Sequence, residues 1–204
     1  CDSSHNLIVE LGGGLKGIIS REEGALGIKS GETRDIAMIS RVNKPVCFMV
    51  VGFETIGGQV TPMLSRRAAQ QRCTEEYLSR LHRGDVIRAR TTHLEGFGCF
   101  VDIGCGISSM IPIDAISVSR ISHPRDRFTL GQDIRVVVRD IESSGRICLT
   151  HKELLGTWAE NASRFSAGET VAGIIRSVES YGIFVELTPN LAGLAEPRAQ
   201  VSCS

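Results

Sequence analysis

Apolar and polar positions alternate with a period of two in three seven-residue segments that share one pattern: HNLIVEL (His5 to Leu11), FGCFVDI (Phe97 to Ile103) and YGIFVEL (Tyr181 to Leu187). Successive side chains on a strand point to opposite faces. In the second segment Cys99, Val101 and Ile103 therefore face a core, while Phe100 and Asp102 face outward. The third segment repeats this, with Ile183, Val185 and Leu187 inward and Phe184 and Glu186 outward. An aromatic beside an acid on the wet face, in two copies, needs a reason. Either a partner element covers it, or it offers a surface on which a flat group such as a nucleobase stacks.

The repeat extends beyond the strand. Gly84 aligns with Gly168, Gly98 with Gly182, Phe100 with Phe184 and Val101 with Val185, all at one offset of 84 residues. LSRRAAQ (Leu64 to Gln70) similarly resembles LTHKELL (Leu149 to Leu155). A period of this length suits a small domain plus a linker rather than a solenoid. The middle unit reads as five strands. Val86 to Leu94 places Ile87, Ala89 and Thr91 on one face and Arg88, Arg90 and Thr92 on the other. Cys99 to Ile103, Ile107 to Ile113, Gln132 to Ile141 and Arg146 to Thr150 follow, with an irregular connection from Ala115 to Thr129. Such strand economy fits a small closed barrel of the OB type, whose exposed strands often bind oligonucleotides.

The connectors Arg67 to His82 and Lys152 to Phe165 carry apolar residues near helical spacing, and Trp158 in the second is expected to pack its helix onto a barrel. The expected fold class is thus all-β, with tandem five-stranded barrels joined by short α-helical linkers. The expected division is an incomplete barrel over 1–66, a linker over 67–82, a complete barrel over 83–152, a linker over 153–166 and an incomplete barrel over 167–204. A chain that begins and ends inside a repeat is expected to belong to a longer protein.

Composition narrows the function. Basic and acidic residues number 23 each, which argues against a DNA-wrapping protein but leaves room for a local basic patch. No apolar stretch reaches the length of a membrane span. The seven cysteines include no CxxC pair, and Cys47, Cys99 and Cys148 sit in apolar runs, so reduced structural thiols in a cytoplasmic protein are expected, with no metal or other cofactor. No paired carboxylates, nucleophile motif or phosphate-cradling glycine loop suggests catalysis; Gly12-Gly13-Gly14 reads as a turn. The densest basic cluster, Arg120, His123, Arg125 and Arg127, is offset by Asp126 and reads as a surface loop.

With these residues in view, the middle unit resembles the S1-type RNA-binding domain family, represented in bacterial ribosomal protein S1 and in polynucleotide phosphorylase. The matching parts are Gly84-Asp85-Val86-Ile87, FGCFVDI, GISSMIPIDAIS (Gly106 to Ser117) and the DIE…GRICLTHKELL ending. The third unit matches through YGIFVEL and NLAGLAE (Asn190 to Glu196), and the first, more faintly, through HNLIVEL, GIISREE and LSRRAAQ. The resemblance implies a single-stranded RNA partner held on the outer barrel face. It places the stacking aromatics at Phe97 and Phe100, and at Tyr181 and Phe184, with the acid at Glu142 and an arginine at Arg146. The family's third-strand histidine is replaced by Pro112, Glu196 and Ser20, and the first unit has His5 and Ile8 in place of the aromatics. Arg88, Arg90 and Arg176 are further candidate cations, each equally compatible with a plain solvated face. The implied role is mRNA binding or ribosome association, through the small subunit, in translation. Two alternatives stay open: the RNA-binding part of a turnover enzyme, or a scaffold whose outward aromatics bury against a neighbour.

Overall fold

The structure, a computed structural model, describes residues 5–34 and 36–196; Cys1 and Cys203 lie outside them. It is mostly β and divides into two compact units. The first contains β1 (Leu7–Gly12), β2 (Leu15–Ile19), a short α1 (Ile36–Ile39), β3 (Met49–Ile56), β4 (Gln59–Ser65) and α2 (Arg66–Glu76). Its four-stranded sheet has the order β1-β2-β4-β3, antiparallel except for β2 and β4. Gly13 and Gly14, both at positive φ, turn the chain between β1 and β2, a conformation glycine adopts without steric cost. The core gathers Leu7, Ile19, Ala25, Ile28, Met38 and Leu64. Helix α2 starts where Ser65 Oγ accepts the Ala68 N–H at 2.8 Å, a cap that contributes about 1 kcal/mol. Beside it Glu23 accepts from Ser65 Oγ and from Arg67 Nε and Nη2, the latter two at 3.0 and 2.7 Å.

The second unit opens with a closed barrel of β5 (Val86–Glu95), β6 (Gly98–Asp102), β7 (Ser108–Pro112), β8 (Asp133–Ile141) and β9 (Ile147–Thr150), in the order β5-β6-β7-β9-β8. Its interior follows the alternation in sequence: Ile87, Ala89, Cys99, Val101, Ile111, Ile134, Val136, Val138, Ile147 and Leu149 are all buried. Two hydroxyls inside are satisfied, Thr91 donating to Thr129 O and Ser109 to Ile147 O, each at 2.6 Å. Of the three thiols expected in apolar surroundings, only Cys99 is core. Burial pushes it up to about 11. Cys148 is half-buried on the outer face, because β9 alternates around Ile147 and Leu149, and Cys47 is exposed.

The first sheet reproduces β6-β7-β9-β8 in order, pairing sense and bulge: Val50 pairs Leu64 and the register shifts before Gly52, as Val138 pairs Leu149 and shifts before Asp140. After the barrel come α3 (Trp158–Ala162), β10 (Ile174–Glu179), β11 (Gly182–Thr188) and β12 (Leu191–Ala195). The three-stranded sheet β10-β11-β12 reproduces β5-β6-β7, again with the bulge in its first strand.

The second connector is not the continuous helix its pattern suggests. A 3-10 turn over Lys152–Leu155 ends at Gly156, at φ 80°, and Thr157 starts α3 afresh with a capping box to Glu160. The five-residue helix turns Asn161 inward, where its amide donates to Leu155 O and Thr157 O and its carbonyl accepts from Thr188 Oγ1. Trp158 is left 63 % exposed instead of packing on a barrel. A polar residue takes the buried position because the exposed backbone carbonyls of a broken helix need donors.

A second departure concerns Glu186. The pattern placed it on the wet face, yet it is 4 % exposed. The 3-10 segment Pro124–Asp126 and Arg127 of the barrel cover it: Arg127 Nη2 donates to Oε1 at 2.6 Å, and Arg176 Nε donates to Oε2 at 2.7 Å. Burial alone would raise this carboxyl, but the hydrogen bonds from Arg176 and Arg127 outweigh it and hold it below the ordinary 4.5. At Glu23 burial likewise raises, and the bonds from Arg67 and Ser65 prevail.

Two predictions follow from this packing. Folded values below the unfolded ones mean that both carboxylates contribute stability that is complete above 4.5 and is lost as pH falls through the folded values. Urea midpoints should therefore drop on acidification, and drop less in Glu186→Gln; equal slopes would show that the pair contributes nothing. The other concerns Gly98, where a Cβ would lie 2.6 Å from Ile111 O. Gly98→Ala should lower unfolding free energy by about 2 kcal/mol, within the usual range for single substitutions, whereas the open Gly145 should tolerate other side chains limited only by its positive φ.

Candidate nucleic-acid interface

Strands β5 and β6 form a tight hairpin in which Glu95 pairs with Gly98, leaving Gly96 and Phe97 as the two-residue loop. Phe97 is therefore lifted from the sheet and is 59 % exposed. Phe100, three residues on, stands half-buried on the outer face of β6. Their ring centroids are 6.0 Å apart with planes at 90°, the edge-to-face arrangement aromatic quadrupoles favour. The third sheet builds the same device: Tyr181, also 59 % exposed, and Phe184 lie 6.3 Å apart at 88°. In the first sheet Ile8 occupies the corresponding outward position opposite Ile18.

The surroundings of Phe100 depend on a bulge. Thr91 pairs with Val101 and His93 with Phe100, so Thr92 is the extra residue. Strict alternation would have put Thr92 beside Arg88 and Arg90. Instead its hydroxyl donates to Phe100 O at 3.2 Å, and exposed His93 stands opposite the ring. On the other side Phe100 pairs with Met110, and Met110 with Cys148. Sequence reasoning missed His93 and Met110, because a one-residue bulge shifts the phase of a strand without marking the sequence.

The polar candidates fall into two groups. Glu142 and Arg146 close the β8–β9 hairpin, the Glu142 N–H donating to Arg146 O at 2.9 Å. The Glu142 carboxylate accepts from Ser144 Oγ at 3.2 Å and from Cys148 Sγ at 3.4 Å, which joins this corner to the Phe100 row. Burial first, then the Glu142 carboxylate, raises the Cys148 thiol. Arg88 and Arg90 sit further along β5 on the same outer face, both exposed. Arg90 pairs with Asp102 on one side and Asp133 on the other, and donates to Gly131 O at 3.0 Å. Arg88 lies directly opposite Arg135. Like charges so placed repel, and a bound anion would relieve them. Arg135 was legible in the alternation of DIRVVVRD and was overlooked.

In the third sheet Ser177, not Arg176, opposes Phe184; Arg176 is the bulged residue. Its guanidinium turns to Glu186 and, at 3.6 Å, to Asp126, so the expected solvent-facing cation is engaged inside the protein. The basic cluster of the loop also divides. Arg127 is committed to Glu186, whereas Arg120 and Arg125 are exposed and His123 Nδ1 accepts the Arg125 N–H at 3.1 Å.

An aromatic pair on the outer face of a closed five-stranded barrel that also carries exposed arginines agrees with the family comparison: the S1 RNA binding domain matches residues 80–152. The middle barrel is an S1-type domain. Small ribosomal subunit protein bS1 of Leuconostoc lactis is 33 % identical to this chain over 159 residues, covering 74 % of the chain and 36 % of that protein. The protein of the same name from Staphylococcus aureus is 31 % identical over 138 residues, covering 65 % and 35 %. The chain thus spans about a third of the length of these curated relatives. Among solved structures, GSP13 from Bacillus subtilis aligns with 45 % of the chain and 78 % of its own length, at 16 % identity and a TM-score of 0.36.

The opposed Arg88 and Arg135 of the S1 domain give a direct test. Arg135→Gln should raise the melting temperature at low salt, through a gain of about 0.2–1 kcal/mol, and the gain should vanish at high salt. A loss of stability would show that the two cations are not in conflict.

Proposed function

We propose that this chain binds single-stranded RNA through the outer faces of its S1 domain and of the third unit, without chemistry of its own. The single observation that carries the reading is the aromatic pair built twice, at Phe97 and Phe100 and at Tyr181 and Phe184, in nearly identical edge-to-face geometry. Core packing does not require a ring at the exposed hairpin tip, and each base stacked on such a ring contributes about 1–3 kcal/mol. In this reading Arg88, Arg90 and Arg135 further along the outer face, and Arg146 at the β8–β9 corner, serve as phosphate partners, with His93 and Glu142 as base-edge partners. Arg176 takes a supporting role, holding β11 through Glu186.

The reading keeps 83–152 as a complete barrel between two incomplete ones, 1–66 and 167–204, and assigns RNA contact to the last two of the three. In this reading the RNA is mRNA and the setting is translation in the cytoplasm, with the small ribosomal subunit as assembly partner; the likeness to small ribosomal subunit protein bS1 supports the last. Fluorescence anisotropy with a labelled single-stranded oligonucleotide tests the core of this. Phe100→Ala and Phe184→Ala should each weaken binding by about 1–3 kcal/mol, while far-ultraviolet circular dichroism stays unchanged. Affinity that falls with salt but ignores both substitutions would mean purely electrostatic contact and would remove the stacking proposal.

A further inference from the structure

The S1 barrel and the third sheet are joined by more than the chain. Arg127, at the end of the barrel's β7–β8 connection, is bonded at once to Glu186 of β11 and to Ser117 Oγ, the latter from Nε and Nη2 at 3.3 Å each. Ser117 Oγ in turn donates to Pro189 O at 2.6 Å, and the Ser119 N–H donates to the same carbonyl at 3.3 Å. Arg176 bridges Glu186 and Asp126. From the connector, Asn161 accepts from Thr188, and Asn190 Nδ2 donates to Gly156 O. Apart from the Arg127–Ser117 bonds, each of these contacts converges on β11, on its turn to β12, or on Arg176 of the neighbouring strand.

The side chains are withdrawn from water, Glu186 to 4 % and Arg127 to 10 % exposure. Buried charges tolerate little displacement, because a separated partner leaves an uncompensated ion in a low-dielectric setting. The lattice therefore selects one arrangement of the two modules. Glu186 lies two residues from Phe184 on the same face of β11, so fixing the carboxylate fixes the base of the aromatic. In the S1 barrel the equivalent acid, Asp102, is the register partner of Arg90 on β5.

We propose that this lattice is a splint that makes the S1 barrel and the third sheet one extended RNA site, whose ligand is a single strand long enough to reach both aromatic pairs. The proposal rests on the RNA reading above. Two sites on a flexible tether gain only the effective concentration that the tether allows; two sites on one rigid body are already spaced, and no ordering cost is added on binding. Arg127, Glu186 and Ser117 are positioning residues in this scheme, since they hold the platforms without touching RNA.

The whole chain tests it with two measurements. Amide ¹⁵N relaxation should give one rotational correlation time for the barrel and the third sheet in the parent, and two in Arg127→Gln. Ser117→Ala, a milder change, should loosen the pair in the same direction and serves if Arg127→Gln does not fold. Anisotropy with single-stranded oligonucleotides of about 5 and about 30 nucleotides, the second longer than the roughly 4–16 that one OB fold takes, should show the parent preferring the longer by at least about tenfold. In the variants this preference should shrink several-fold while affinity for the short strand holds. An unchanged length preference, or two correlation times in the parent, overturns the splint. If neither oligonucleotide binds the parent, the RNA reading falls, and with it the extended site, while relaxation still decides whether the splint itself exists.

Discussion

The close approach of β6 to β7 at Gly98 is the contact on which the outer face depends. A methyl group there would meet the Ile111 carbonyl oxygen, so the two strands lie nearer than any side chain permits. That approach pins the register by which Cys99 and Val101 enter the core, and Phe100 is carried to the opposite face by the same pleat. Gly182 repeats the arrangement against Ala195 O. A one-residue slip in either place would bury a phenylalanine ring and expose the strand's core residues. The aromatic platform is thus a by-product of core packing held in register by a glycine.

The bulge in the first strand of each hairpin does the complementary work. In β5 it inserts Thr92, hands the position opposite Phe100 to His93, and lets the strand serve both β6 and β8. In β10 it inserts Arg176, whose long side chain then reaches Glu186. One irregularity with two different residues yields an open outer face in the S1 domain and an internal salt link in the third sheet. The two hairpins share a register and differ in the residue that the bulge inserts.

Much of this was legible in the chain. Period-two alternation identified the strands and their inward residues, and the offset of 84 residues related the β5–β6 hairpin to the β10–β11 hairpin, because burial constrains each strand position by position. The aromatic pairs were visible for the same reason: a large apolar residue on the wrong phase stands out. The misread residues were those whose environment comes from a distant segment or from a local break in phase. Glu186 was read as wet because its own strand says so, and it is dry because Arg127, 59 residues away in sequence, covers it. Trp158 was read as packed because its connector is helical by pattern, and it is exposed because Gly156 and Thr157 break that helix.

The sequence by itself therefore determined the strands, the repeat and the outward aromatics, since these depend on local alternation and on residue types that only a pleated, half-buried segment accommodates. Tertiary structure alone decided which outward groups stay in water. Whether an acid binds an arginine of the next module, and whether a bulge exchanges Thr92 for His93, depends on long-range contacts and strand pairing that no single segment encodes.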